Sequence, residues 1–125
     1  MRPKNLSYLK SHEWISIEND TATIGITDFA VEQLGELVYL DLPNNGDQVS
    51  QGEPFGEVES VKAVSDLISP ASGEIIETNH DLTDNLEGLQ NSPFESGWLI
   101  KIKLNEKATD LLNADAYEEL VQSES

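Results

Sequence analysis

Short runs of alternating apolar and polar residues, each ended by turn-forming residues, constrain the fold of this chain more than any other feature. Residues 13–18 and 21–27 both alternate, and the Asn19-Asp20 pair between them predicts a hairpin turn. Residues 98–104 predict the clearest strand, with Trp98 and three aliphatic side chains on one face and lysines on the other. Because period two is typical of strands with one buried face, the pattern predicts a mainly β domain.

Helical signals are confined to the connections and to the C-terminal part of the chain. Asp28 is predicted to cap a short helix that Gly35 ends. The polar residues 79–97 predict a loop that includes one helical turn. Asn105 is predicted to cap a further helix, and residues 114–121 continue with helical spacing.

A weak internal similarity flanks the middle of the chain. Residues 46–52 lead into the strand-like run before residue 62, and residues 69–75 follow the strand-like run after it. Each segment combines a glycine-containing turn with a strand, which suggests two quasi-equivalent halves of a small β sandwich. A length of 125 residues fits one domain, predicted to span residues 1–125. Residues 1–6 and 122–125 are expected to be frayed.

Composition excludes several classes of function. With 24 acidic and 7 basic residues the net charge is −17, which disfavours nucleic acid and anionic membranes as partners. The acidity serves either solubility or attraction to partners with basic docking faces. The chain has no cysteine, no apolar run of membrane-spanning length and no secretory signal, so a bacterial cytoplasmic location is expected.

One basic residue is isolated from all the others. Between Ser11 and Ile100, Lys62 is the only lysine or arginine, set among eighteen carboxylates. It lies between two strand-like runs, and residues 60–63 can form a type I turn with Val61 and Lys62 at the tip. Two explanations fit: a charge that interrupts an aggregation-prone β segment, or an exposed acceptor for a modifying enzyme.

The surroundings of Lys62 resemble a known motif. Glu59-Ser-Val-Lys-Ala63 followed by Ser65-Asp66 closely resembles the lipoyl-attachment motif of the glycine cleavage H proteins. The resemblance covers residues 7 to about 121, because further short motifs stand in that family's order and approximate spacing: Ser11-His-Glu-Trp14, Gly25-Ile-Thr-Asp28, Gln33-Leu-Gly35, Leu42-Pro43, Ser72-Gly-Glu74, Asn91-Ser-Pro93 and Gly97-Trp98. Biotin carriers instead place methionine on both sides of the lysine.

The resemblance implies a barrel-sandwich hybrid of the lipoyl- and biotinyl-carrier type, with short peripheral helices that include a C-terminal one. It implies lipoate, attached as N6-lipoyllysine at Lys62, with Glu59, Ser60, Val61 and Ala63 as the recognition turn. The protein would then be a carrier and not an enzyme, with the chemistry supplied by cofactors on its partners.

The implied partners form one reaction sequence. A pyridoxal-phosphate-dependent glycine decarboxylase loads the arm, a tetrahydrofolate-dependent aminomethyltransferase unloads it, and dihydrolipoamide dehydrogenase reoxidises it. A lipoate ligase or lipoyl transferase would attach the group. We expect a monomer. An alternative is an H-like protein that relays lipoate to other enzymes, and a third reading is an unmodified interaction module.

The resemblance also implies a cleft that shelters the loaded arm. Ser11, Glu13 and Asp66 match positions lining it, and Glu13 could pair with a cationic amine. Gln33 stands where some family members have His, so it cannot gain a proton near neutral pH. Phe94 stands where Tyr is frequent. For Glu13, an ordinary exposed edge-strand charge is the competing explanation.

Other chemistry has little support in the sequence. His12 and His80 are the only histidines, neither has metal-ligand spacing, and no metal site is predicted. No glycine-rich phosphate loop and no Gly-x-Ser-x-Gly motif is present. His12, beside Glu13, is predicted to be structural.

Overall fold

The computed structural model describes residues 2–124, which form two antiparallel sheets with helices at their periphery. The mainly β class is therefore confirmed. A six-stranded sheet has the order β1-β2-β3-β9-β8-β5, and a three-stranded sheet has the order β4-β6-β7. The strands are β1 Ser7–Tyr8, β2 Glu13–Glu18, β3 Thr21–Ile26, β4 Leu37–Asp41, β5 Gln48–Val49, β6 Pro54–Ser60, β7 Val64–Ile68, β8 Gly73–Thr78 and β9 Ile100–Leu104. The helices are α1 Asp28–Leu34, α2 Asp81–Asp84, α3 Glu87–Asn91 and α4 Ala114–Glu124.

The first hairpin forms where the alternation predicts it. β2 and β3 pair from Glu13↔Ile26 to Glu18↔Thr21, and Asn19 takes the positive φ of 60° that the tight turn requires. The following helix differs by one residue from the prediction. Thr27, not Asp28, is the N-cap, because its Oγ1 accepts a hydrogen bond from the Ala30 N–H at 3.2 Å.

The two similar segments pair with each other. The Gly46 N–H donates to the Ile75 carbonyl and the Ile75 N–H donates to the Asp47 carbonyl, both at 2.8 Å. At the other end of these segments, the Gly52 N–H donates to the Ser69 carbonyl at 2.9 Å. The segments therefore pair β5 with β8 in the six-stranded sheet and are joined to each other at the base of the β6–β7 hairpin.

Three local predictions about the second half of the chain were wrong. Residues 79–97 contain two short helices, α2 and α3, where the sequence predicted a loop with one helical turn. Asn105 caps no helix, because residues 105–113 run in extended or bent conformation and Leu112 makes a β-bridge with Tyr8. Trp98 precedes β9 and packs in the cluster around Trp14, while Leu99 and Ile100 enter the main core.

A second, aromatic cluster attaches α4 and the N-terminal segment to the sheet. The rings of Tyr8 and Tyr117 stack with centroids 4.6 Å apart, and the Tyr117 hydroxyl lies 2.6 Å from Thr27 Oγ1. Arg2 forms ion pairs with Asp28 and Glu118. The structure places residues 122–124 in α4, and the expected fraying of both ends stays a prediction, with Met1 and Ser125 outside the described residues.

Replacing Thr27 with valine is expected to destabilise the fold by about 2 kcal/mol, because it removes the α1 cap and one of the two hydrogen-bond partners of the Tyr117 hydroxyl. Valine has nearly the same shape, so packing is preserved. Urea unfolding of Thr27→Val measures the change. Thr23→Val, at a partly exposed position of β3, is the matched control and should change stability by less than about 0.5 kcal/mol. Equal effects of the two substitutions would contradict the capping role.

Candidate functional site

The Lys62 hairpin is an exposed reversal that joins β6 to β7 in the three-stranded sheet. β6 ends at Ser60 and β7 begins at Val64, and the register pairs Glu59 with Val64. Val61 and Lys62 therefore occupy the tip, where the sequence predicts them. Val61 has 67% of its surface exposed, which no packing role explains.

Ser60 closes the turn that presents the lysine. Its side chain is buried, and its Oγ accepts hydrogen bonds from the Lys62 N–H at 3.3 Å and the Ala63 N–H at 3.1 Å. The Ser60 N–H donates to the Ala63 carbonyl at 2.8 Å. One hydroxyl thus accepts from two backbone N–H groups of a turn that contains no glycine, asparagine or proline.

The Lys62 side chain is exposed, and its amine forms no ion pair or hydrogen bond within residues 2–124. The surrounding geometry fits acylation, because a primary amine on a four-carbon stem at a hairpin tip is accessible from several sides. The stem extends over Gly35, at the end of α1. The sequence offered no signal for this contact between segments 27 residues apart.

Glu13 is buried, with 1% of its surface exposed, so the alternative of an exposed edge-strand charge was wrong. β2 is an inner strand between β1 and β3, and the end of β7 lies against the Glu13 side chain. The carboxylate accepts hydrogen bonds from the Ser11 hydroxyl and from the Ile68 N–H, the latter at 2.9 Å. Burial raises the pKa of Glu13 to about 7, although hydrogen bonds from Ser11 and Ile68 oppose the shift.

The structure brings only some of the predicted cleft residues into contact. Ser11 and Glu13 are hydrogen-bonded, and Glu13 binds the backbone of β7, the strand that also carries Asp66. Asp66 is exposed two residues before Ile68. Gln33 is exposed on α1, and within residues 2–124 its side chain makes no hydrogen bond to the other three.

His12 and Phe94, the other residues singled out from the sequence, contact aromatic side chains of the fold. His12 Nδ1 lies 2.8 Å from the Tyr117 hydroxyl and Nε2 lies 2.9 Å from Glu124 Oε1. Phe94 packs against Trp14, with ring centroids 6.2 Å apart.

In the described part of the chain, no three His, Asp or Glu side chains are arranged to hold a metal ion. No helix within residues 2–124 has the length and apolarity to cross a bilayer.

Two sheets enclosing one core, with a free lysine at the tip of a projecting hairpin, define a carrier domain of the barrel-sandwich type. The family model described as "Glycine cleavage H-protein" matches residues 6–124. The chain belongs to the glycine cleavage H-protein family, whose members are the carrier subunit of that system.

Individual relatives agree with this assignment. The glycine cleavage system H protein of Rubrobacter xylanophilus is 48% identical over 122 residues, covering 98% of this chain and 96% of the relative. That of Staphylococcus carnosus is 46% identical over 121 residues, covering 95% and 96%. The crystal structure of the H protein from Mycobacterium marinum superposes with a TM-score of 0.91 at 41% identity, covering 99% of this chain and all of that one.

Proposed function

We propose that this chain carries lipoate on Lys62 and serves as the shuttle of a glycine cleavage system. The observation that carries the proposal is the unpaired amine at the hairpin tip, in a chain whose relatives are H proteins. Glu59, Ser60, Val61 and Ala63 are the turn that an attaching enzyme recognises. Ser60 supports this role by holding the tip in one conformation, so that the enzyme meets a preformed loop.

When attached, lipoate would supply a dithiolane whose disulfide is reduced as it takes up the aminomethyl group, and whose dithiol, once that group has been passed on, gives a pair of electrons to the dehydrogenase. The chain itself contributes attachment, presentation and reach. Acylation removes the charge of Lys62 and leaves a long flexible tether, which raises the local concentration of the attached group at any partner that docks nearby. We therefore describe the chain as a non-catalytic carrier.

Ser11, Glu13 and Asp66 are proposed to shelter the loaded arm, with Gln33 as a hydrogen-bonding residue at its border. Glu13 supports this, because a buried carboxyl with a pKa of about 7 gains a charge readily when a cation approaches. A docked ammonium group would lower the pKa of Glu13 and so favour the ionised form that pairs with it. The Ser11 hydroxyl would then stabilise the same carboxylate.

The outer face of the three-stranded sheet supports docking of partners with basic surfaces. The register places Asp41, Glu57 and Asp66 side by side in one exposed row, where like charges directly opposite one another are destabilising. The neighbouring row carries exposed Tyr39 and Val64 on either side of Glu59. An apolar patch beside a row of carboxylates, next to Lys62, suits a partner with an apolar site bordered by Arg or Lys.

The proposed partners are glycine decarboxylase, the aminomethyltransferase, dihydrolipoamide dehydrogenase, and a lipoate ligase or lipoyl transferase. Nucleic acid and membranes are not among them, because a chain of net charge −17 repels phosphate groups. We further propose a monomer that acts in the cytoplasm.

The test is glycine–bicarbonate exchange by the decarboxylase. Lipoylated protein is expected to support exchange of labelled bicarbonate into glycine, while the unmodified chain at the same concentration supports none. Intact mass before the assay establishes the modification state. A fully lipoylated sample that gives no exchange would refute the shuttle and favour the alternative, an H-like protein that relays lipoate to other enzymes.

A further inference from the structure

One peptide unit beside the Lys62 turn is held from both of its sides. The Leu37 N–H donates to Gln90 Oε1 at 3.1 Å, and the Glu36 carbonyl of the same peptide accepts from the Val61 N–H at 3.0 Å. In a trans peptide these two groups point in opposite directions, so fixing one fixes the direction of the other. Gln90 therefore aims the Glu36 carbonyl at the hairpin tip.

The same glutamine holds the preceding peptide. Gln90 Nε2 donates to the Gly35 carbonyl at 3.1 Å, so both ends of one side-chain amide are used. Gln90 lies in α3, and its neighbour Leu89 is completely buried in the main core. The amide is thus carried by a helix anchored in the main core, and it spans the junction between α1 and β4.

Gly35 provides the surface over which the lysine lies. Its φ of +83° is a conformation that other residues adopt with strain, and it turns the chain from α1 into β4. A Cβ at this position would stand 3.6 Å from Lys62 Cε and 4.0 Å from Nζ. Any side chain longer than a methyl group would therefore compete with the lysine stem for this space.

We propose that Gln90 is a positioning residue for the modification of Lys62, acting through the Gly35–Leu37 backbone and the Val61 amide. The inference rests on the proposed function, because it concerns presentation of the attachment lysine. A modifying enzyme binds the turn in one conformation. Without the two Gln90 hydrogen bonds, the turn adopts that conformation for a smaller fraction of the time. The apparent affinity of the enzyme for the chain falls by the same factor, while the chemical step is unchanged.

The test compares Gln90→Leu with the wild-type chain in lipoylation by a lipoate ligase. We expect KM for the protein substrate to rise about 3- to 10-fold, with kcat within about twofold. Hydrogen exchange of the Val61 amide, followed by NMR on the unmodified protein, should accelerate at least about 10-fold, because its acceptor is no longer fixed. If Gln90→Leu fails to fold, Gln90→Met replaces it, since methionine has nearly the length and shape of glutamine and also removes both hydrogen bonds.

Gln51→Leu is the matched control, because it also removes a glutamine hydrogen bond to a backbone carbonyl, that of Thr109. It should leave KM and Val61 exchange unchanged. Wild-type exchange or wild-type KM in the Gln90 variant overturns the inference, as does an equal effect in the control. If the wild-type chain is never lipoylated, the proposed function fails, and Val61 exchange still decides whether Gln90 holds the turn.

Discussion

Lys62→Arg is expected to abolish lipoylation completely. Arginine keeps the positive charge and nearly the same reach, but its guanidinium stays protonated and is not acylated by an enzyme that uses a primary amine. Because the substitution is at an exposed tip with no ion pair within residues 2–124, the fold should be unaffected. Incubation with lipoate, ATP and a lipoate ligase, followed by intact mass, checks the result.

Lys101→Arg is the matched control. Lys101 lies 3.7 Å from Glu77 and over the ring of Trp98, so its amine is already engaged. This variant should gain one lipoyl group, as the wild-type chain does. A lipoyl group on the Lys62→Arg chain would place the attachment site elsewhere and end the carrier assignment of this hairpin.

Substitutions of Lys62 also distinguish the carrier role from that of a charge that only prevents aggregation. If Lys62 served only to interrupt an aggregation-prone segment, Arg would preserve the function and Gln would promote association. Exposed Val61 and Val64 flank the lysine and make such association physically reasonable. A carrier must instead tolerate loss of the charge, since acylation removes it. Light scattering of Lys62→Gln therefore complements the mass measurement.

The features that sequence predicted correctly depend on residues close together in the chain. The β2–β3 hairpin follows from alternation around Asn19, and the Lys62 turn follows from two strands separated by residues 61–63. The N-cap of α1, predicted one residue too late, shows the limit of inference from neighbouring residues. Thr27 and Asp28 are both good N-cap residues, and the choice is made by Tyr117, 90 residues away, whose hydroxyl contacts Thr27.

Distant contacts also explain the other differences. Leu112 is apolar and helically spaced, yet it lies extended because it exchanges two backbone hydrogen bonds with Tyr8. The burial of Glu13 could not be inferred from its strand, where an acidic residue at the first position is common. Only the packing of β7 against it, through the Ile68 N–H, makes its environment clear. The hydrogen bonds that hold the backbone of residues 35–37 likewise come from a residue distant in the chain, Gln90.

The stability of the chain is expected to fall as pH rises from about 4.5 to above 7, through Glu13. Its carboxyl has a pKa of about 7 in the folded state, raised by burial from the ordinary glutamate value of 4.5. Between these values the folded chain retains a proton that the unfolded chain releases, so folding stability decreases with pH. The total loss is about 3 kcal/mol, complete once the pH exceeds the folded pKa.

Glu13→Gln isolates this contribution. The amide oxygen can still accept from the Ile68 N–H, and the NH₂ group can donate to Ser11, but nothing titrates. Urea unfolding at pH 5, 6, 7 and 8 should show the variant and the wild-type chain nearly equal at pH 5. At pH 8 the variant should be more stable by about 2 to 3 kcal/mol. Glu18→Gln, an exposed position at the end of the same strand, should leave the pH dependence unchanged.

The direction of this effect has a functional consequence. A site that only stabilised the fold would avoid a buried carboxylate that costs stability at neutral pH, and glutamine would fill the same hydrogen bonds without that cost. A carboxylate is required where a cation has to be received, because only the charged form pairs with an ammonium group. If Glu13→Gln gains stability at pH 8 and still shelters the loaded arm equally well, the proposed role of Glu13 in the cleft is wrong. If it gains stability and loses protection of the arm against hydrolysis, the destabilising carboxylate is explained by function.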